Sequence, residues 1–169
     1  MTVRILGAAI IFAVSLYTGG ACTVLWQKRV AVLSSFCHLV SALEDGISVM
    51  GLPIQAIVVP FADAVLEQTG FLPMARQLWE ENPGTNALRQ ALDGCGIRRY
   101  MEAEETALLC GFFGALGQED RAREGDRCAY VHARLQALYD DSSSVLAVRC
   151  RIARTIAGAV GCAAALMLL

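Results

Sequence analysis

The stretch AEETALLCGFFGALGQEDRAREGDRCAYVHARLQAL, residues 103–138, decides the fold. Leu108, Leu109, Phe112, Phe113 and Leu116 recur at three- and four-residue spacings, the period of a helix with one apolar stripe. Glu102, Glu104 and Glu105 load the end where the helix dipole is positive. Gly117 suits the left-handed residue just past a helix end, and Asp120 reads as the N-cap of a following helix. That helix carries apolar Cys128, Val131, Leu135, Leu138 and Val145 and meets no proline before the terminal Leu169. A helix, a tight link and a longer helix predict an antiparallel hairpin, with Phe112 and Leu116 facing Val131 and Leu135. The run Asp140-Asp141-Ser142-Ser143-Ser144 is the expected point of breaking or bending, because short polar side chains compete for backbone groups.

Upstream, the chain reads as more helices punctuated by Gly and Pro, with no sustained alternation that would make a sheet, so the class is all-α. Val32, Phe36, Leu39, Val40 and Leu43 form the stripe of a first interior helix ending near Gly46 to Gly51. Pro53 is expected to start a second helix with Ile54, Ile57, Val58, Phe61 and Val65, stopped near Gly70. Pro73 starts a third with Met74, Leu78 and Trp79 inward. Asn82-Pro83-Gly84-Thr85 is a turn whose Thr85 can cap a fourth helix holding Ala87, Leu88, Ala91 and Leu92.

Both ends are apolar. Ile5 to Gln27 carries no charged side chain and would extend about 34 Å as a helix, enough to cross a hydrocarbon core of about 30 Å. Thr155 to Leu169 reaches only about 22 Å and needs Arg151 and Arg154 to snorkel or the bilayer to thin. The sequence therefore predicts an antiparallel helical bundle at 28–154 between transmembrane helices at 1–27 and 155–169. A cleaved signal peptide, or a lipoprotein modified at Cys22, competes for the first segment. Lys28 and Arg29 follow the first run and Arg149, Arg151 and Arg154 precede the second, which predicts a cytoplasmic domain with both termini across the membrane. Seven cysteines without paired spacing suit a reducing compartment. In the last helix Ala153, Ala157, Gly161 and Ala165 lie four apart, a smooth strip against which another membrane helix can pack.

The net charge of −2 hides an asymmetry. Setting aside Arg4, Lys28, Arg29, Arg149, Arg151 and Arg154 at the apolar ends leaves eight basic residues against all 16 acidic ones, a formal −8 for the interior. Such a surface repels nucleic acid and suits a basic partner, for which Glu80, Glu81, Glu102, Glu104 and Glu105 are the candidate face. No phosphate-binding loop is present and Lys28 is the only lysine, which argues against nucleotide hydrolysis. His38 and His132 stand apart and no Cys-x-x-Cys occurs, so neither a metal nor a cofactor is expected. Cys37, Cys110 and Cys128 fall on apolar faces; a hydrolase using one of them is the enzymatic alternative, although a nucleophile needs both a base and an orienting group and no such set stands close in sequence.

Taken in order, these features resemble the stage III sporulation protein AB family. The resemblance rests on Ile5-Leu6-Gly7 opening the first span, Leu43-Glu44, Gly51-Leu52-Pro53, and above all Leu116-Gly117-Gln118-Glu119-Asp120 before a long polar helix and a final span. Where relatives usually have Gln four residues after that Asp, Glu124 stands here, and Leu88 occupies a position where Trp is common. The resemblance implies a non-enzymatic scaffold in the channel apparatus between mother cell and forespore. It further implies a cytoplasmic domain similar to the platform proteins of type II secretion, beside a secretion-type ATPase, the sporulation AA protein, and other channel subunits, with homo-oligomerisation left open. A platform-like subunit of another pilus or secretion system is the alternative. The family residues Leu43, Glu44, Gly51, Pro53, Leu116, Gly117 and Asp120 are expected to close helices, start the next and fix the hairpin angle.

Overall fold

The computed structural model describes residues 2–82 and 86–168. It describes no side chains for residues 1–23 and 160–169, nor for seven positions between 147 and 158. The described residues are helical, without a strand. In chain order they form α1 (Thr2–Asp45), a π-helical turn (Gly46–Met50), α2 (Ile54–Val58), α3 (Ala64–Gln68), α4 (Phe71–Glu81) and α5 (Ala87–Gly94). A 3₁₀ turn (Ile97–Tyr100), α6 (Ala103–Ala115) and α7 (Arg121–Leu168) complete the order. Residues 29–140 make one compact unit, and residues 1–28 with 141–169 make another.

In the unit 29–140 the hairpin takes its expected form. Arg134 on α7 pairs with Glu104 at the start of α6, and Arg127 Nη1 donates to the Ala115 carbonyl at its end, 2.9 Å away, so the two helices run antiparallel. α1 also runs antiparallel to α7. His132 Nδ1 lies 3.3 Å from Glu44 Oε2, and the Arg121 guanidinium reaches the carbonyls that follow Glu44 by a few residues. The core closes on Phe36, Phe71 and Phe113, one from each of α1, α4 and α6. Phe36 and Phe71 meet edge to face at 5.2 Å between centroids, and Phe71 stacks on Phe113 at 5.9 Å. Val32, Leu39, Val40, Leu43, Leu109, Val131 and Leu135 are buried with them, as their spacing predicts.

Three sequence expectations fail for physical reasons. The second helix is not continuous. Pro60 has no N–H to donate and its ring obstructs the preceding turn, so the segment divides into α2 and α3. Asp63 restarts it, its Oδ1 accepting the Val65 and Leu66 amides at 2.9 and 3.0 Å. Arg76 then gathers what the break leaves open, donating to the Val59 and Phe61 carbonyls and pairing with Glu67 at 2.7 Å. The third helix begins at Phe71, two residues before Pro73, with Gly70 at φ 81° preceding it. The expected break at Asp140 to Ser144 is absent, and α7 passes through unbroken. There the Ser144 hydroxyl bonds the Asp141 carbonyl three residues back, and Gln136 bonds Asp140 one turn on, so the polar side chains serve the helix.

Among the described residues one helical stretch, Val24–Met50, is long and apolar enough to cross a membrane by length and composition. Over half of its most apolar window is buried, and between Val32 and Ile47 the stretch builds the core of the unit 29–140. The side chains of most of Ile5 to Gln27 and of Ala153, Ala157, Gly161 and Ala165 lie outside the described residues, as do Pro83, Gly84 and Thr85 of the expected turn. Asn86 stands immediately before α5 in place of Thr85. In the terminal unit Val24, Leu25, Val148, Ile152 and Ile156 stand exposed.

Candidate functional site

Most of the residues that carry the family resemblance gather at one end of the bundle, where α1 turns into α2 and α6 turns into α7. α1 does not stop at Asp45 but widens into the π-helical turn, which ends at Gly51 in the left-handed region at φ 65°. Widening leaves carbonyls without helical partners. Arg121, in the first turn of α7, takes three of them: Nε donates to Ile47 O at 2.7 Å, and Nη2 donates to Ser48 O and Val49 O at 2.7 and 3.0 Å. A Cβ at Gly51 would lie 2.8 Å from the Arg121 guanidinium, so glycine serves both the backbone angle and the approach of the arginine. Pro53 precedes α2 as its N-cap, with an extended backbone.

On the other side, Gly117 takes φ 82° and a Cβ there would press on Ile54 Cδ1 at 3.2 Å. Asp120 stands exposed just before α7. The side chain that organises this link is Glu124, one turn into the helix. Its Oε1 accepts the Gly117, Gln118 and Glu119 amides at 3.0, 3.2 and 3.2 Å. The link was legible in the sequence; its true acceptor was not, because a cap four residues after the expected N-cap matches no simple rule. Leu43 and Leu116 are buried beneath this end, and Glu44 holds His132 across α1 and α7.

The two turns flank a cleft of about 440 Å³, lined by apolar Ile47, Leu52, Pro53 and Ile54 and by the charged side chains of Glu119, Arg121 and Glu124. In the π-helical turn Val49 is 75% exposed and Met50 68%.

The acidic residues fare unequally. Glu105 is a correction: expected on a solvated face, it is 1% exposed and bound by Arg29 Nη2 at 2.6 Å, while its other oxygen accepts the Glu102 amide. Arg29, expected to flank the membrane, is thereby part of the bundle and also pairs with Glu102. Glu104 holds Arg134, and Glu81 accepts from Gln77. Glu80 and Glu81 stand exposed on α4.

Of the described thiols, Cys37 and Cys128 are placed against nucleophilic work. Cys37 and Cys128 are buried, and burial, with the charges of Glu124 and Glu44 adding, pushes the Cys128 thiol up to about 11. Burial also raises Cys95. Cys110 is half-buried and accepts from Arg98 at 2.9 Å. His38 is exposed on α1, apart from His132 on α7, and among the described residues no three metal-ligating side chains come together.

Fold and site thus define an all-helical protein whose distinctive surface is the end of a bundle, organised by glycines and arginine-bound carbonyls. The chain belongs to the stage III sporulation protein AB family, whose model matches residues 4–169, and it is a sporulation-associated protein. No curated protein and no solved structure matches it.

Proposed function

We propose that the chain is a membrane-anchored helical scaffold of the channel apparatus between mother cell and forespore, coupling a cytoplasmic secretion-type ATPase to membrane partners. The observation that carries this reading is the family match over the whole length, joined to the placement of the motif residues. Gly51, Pro53 and Gly117 rim a cleft beside an exposed apolar tip, an arrangement suited to contact. In this reading 1–27 and 155–169 are the transmembrane helices, 28–154 is the cytoplasmic platform-like domain on the mother-cell side, and both termini lie across the membrane. Ala153, Ala157, Gly161 and Ala165 pack against a second membrane helix. The exposed Glu80 and Glu81 add electrostatic attraction for a basic partner.

Co-purification of the full-length chain with the sporulation AA protein from sporulating cells is the test. Retention of the ATPase, and its loss when Met50 and Val49 are both changed to Glu, supports the reading; a chain that never retains it refutes the coupling. Reporter fusions at both termini test the topology, and a cytoplasmic signal from either end overturns it.

A further inference from the structure

The end of the bundle from which α1 arrives carries a basic turn in an otherwise acidic domain. Between Glu81 and Glu102 the chain holds Arg89, Arg98 and Arg99 against the single acid Asp93, whereas the interior as a whole is formally −8. α1 and α6 both run antiparallel to α7, so α6 starts at the Arg29 end of the bundle, and the 3₁₀ turn Ile97–Tyr100 immediately precedes that start. Arg29 fixes it there. Its Nη2 donates to Glu105 Oε1 at 2.6 Å, and its Nη1 pairs with Glu102. Helical side chains lean toward their own N-terminus, which directs Arg29 back toward Lys28 and the apolar run that ends at Gln27.

Buried Ile97 roots the turn in the core, while Arg98 and Arg99 are exposed. Arg98 uses Nη2 for both Asp93 and the Cys110 sulfur, with its side chain 43% exposed. Arg99 meets a ring instead of a carboxylate, its guanidinium lying 4.9 Å from the Tyr100 centroid. The neighbouring carboxylates of Asp93, Glu102, Glu104 and Glu105 are each held by an arginine, which blunts their repulsion of an anionic surface. Arginines joined to a half-buried tyrosine are a composition that the membrane–water interface favours.

We infer that this turn is a second membrane contact, in which Arg98 and Arg99 bind the phosphate groups of anionic phospholipids and Tyr100 lies at headgroup level. The inference rests on the reading of 1–27 as a membrane span, and it adds that the bundle itself lies against the bilayer through a contact selective for lipid charge. Tethering by α1 keeps the turn beside the surface, so weak contacts suffice. Each basic residue near an anionic surface favours contact about five-fold, and the pair about thirty-fold.

The test uses the isotope-labelled full-length chain in bilayer discs doped with a phosphatidylcholine that carries a nitroxide on its headgroup. The discs are phosphatidylcholine alone or phosphatidylcholine with about one third phosphatidylglycerol. Paramagnetic broadening is read at three amides: Leu25 on the expected span, residue 99 on the turn, and Met50 at the opposite end of the bundle. With phosphatidylglycerol, amide 99 is expected to broaden about five-fold more than Met50, and to lose about half of that excess in phosphatidylcholine alone. Arg98→Gln with Arg99→Gln should remove the difference between the two lipids. Retained dispersion of the bundle amides shows that this variant is folded. If Leu25 broadens but amide 99 matches Met50, responds equally in both lipids, or keeps its lipid dependence in the double variant, the inference falls and the anchor stands. Absence of broadening at Leu25 overturns both.

Discussion

Replacing Arg29 by alanine should destabilise the bundle far more than replacing Arg134, although each arginine pairs with a glutamate at the start of α6. The difference lies in burial. Glu105 is 1% exposed and Arg29 19%, whereas Arg134 and Glu104 are 49% and 59% exposed. Removing one partner of a buried pair leaves an uncompensated charge and costs about 3–5 kcal/mol, and an exposed pair contributes about 0–1 kcal/mol. Arg29→Ala should fall at the lower end, about 3 kcal/mol, because Glu105 Oε2 still accepts the Glu102 amide at 2.7 Å. For a domain of this size that is roughly a 10 °C fall in unfolding midpoint, against roughly 0–4 °C for Arg134→Ala. The assay is thermal unfolding of the full-length chain in detergent micelles, followed by far-ultraviolet circular dichroism. Arg29→Met with Glu105→Gln should recover a large part of the loss, since the buried charge is removed together with its partner. Equal losses for Arg29→Ala and Arg134→Ala, or no recovery in the double variant, would refute the assignment of a buried pair.

Gly51→Ala and Gly70→Ala both force a left-handed backbone at about 1–2 kcal/mol, but a Cβ at Gly70 meets nothing while one at Gly51 meets the Arg121 guanidinium. Gly51→Ala should therefore cost more in denaturant unfolding, and the gap should close in an Arg121→Ala background. Asp63→Ala should cost about 1 kcal/mol by the same assay, from loss of the cap on α3. With the Cys128 pKa near 11, only about one thiol in a thousand is ionised at pH 8, so native Cys128 should resist a thiol reagent until the chain is unfolded. The raised pKa also gives a sign. The unfolded thiol ionises near pH 9 and the folded one near 11, so stability should be full below pH 9 and fall as pH rises toward 11. Mass spectrometry of labelled peptides reads the first, and unfolding midpoints against pH read the second, with the trend weakened in Cys128→Ala and the remainder carried by the buried Cys37, whose thiol burial also pushes up to about 11.

Sequence by itself determined the helical class, the apolar ends, the hairpin of α6 and α7, and most of the core, because three- and four-residue spacing is a local property that Phe36, Leu43, Phe113, Val131 and Leu135 all obey. It also pointed to Gly51, Gly117 and Pro53, since backbone angles are set by the residue itself. It could not assign the arginines. Arg29, Arg76, Arg121 and Arg127 look alike along the chain, yet one neutralises a buried glutamate and three bind carbonyls opened at helix ends. Those carbonyls become available only where the backbone departs from a regular helix, and the donor that reaches them comes from up to 74 residues away. The same holds for Glu124, whose Oε1 gathers the amides of the link while Oε2 is left buried without a partner. Which charged residue is buried, and against what, is a property of packing between distant segments, and only the tertiary structure decided it.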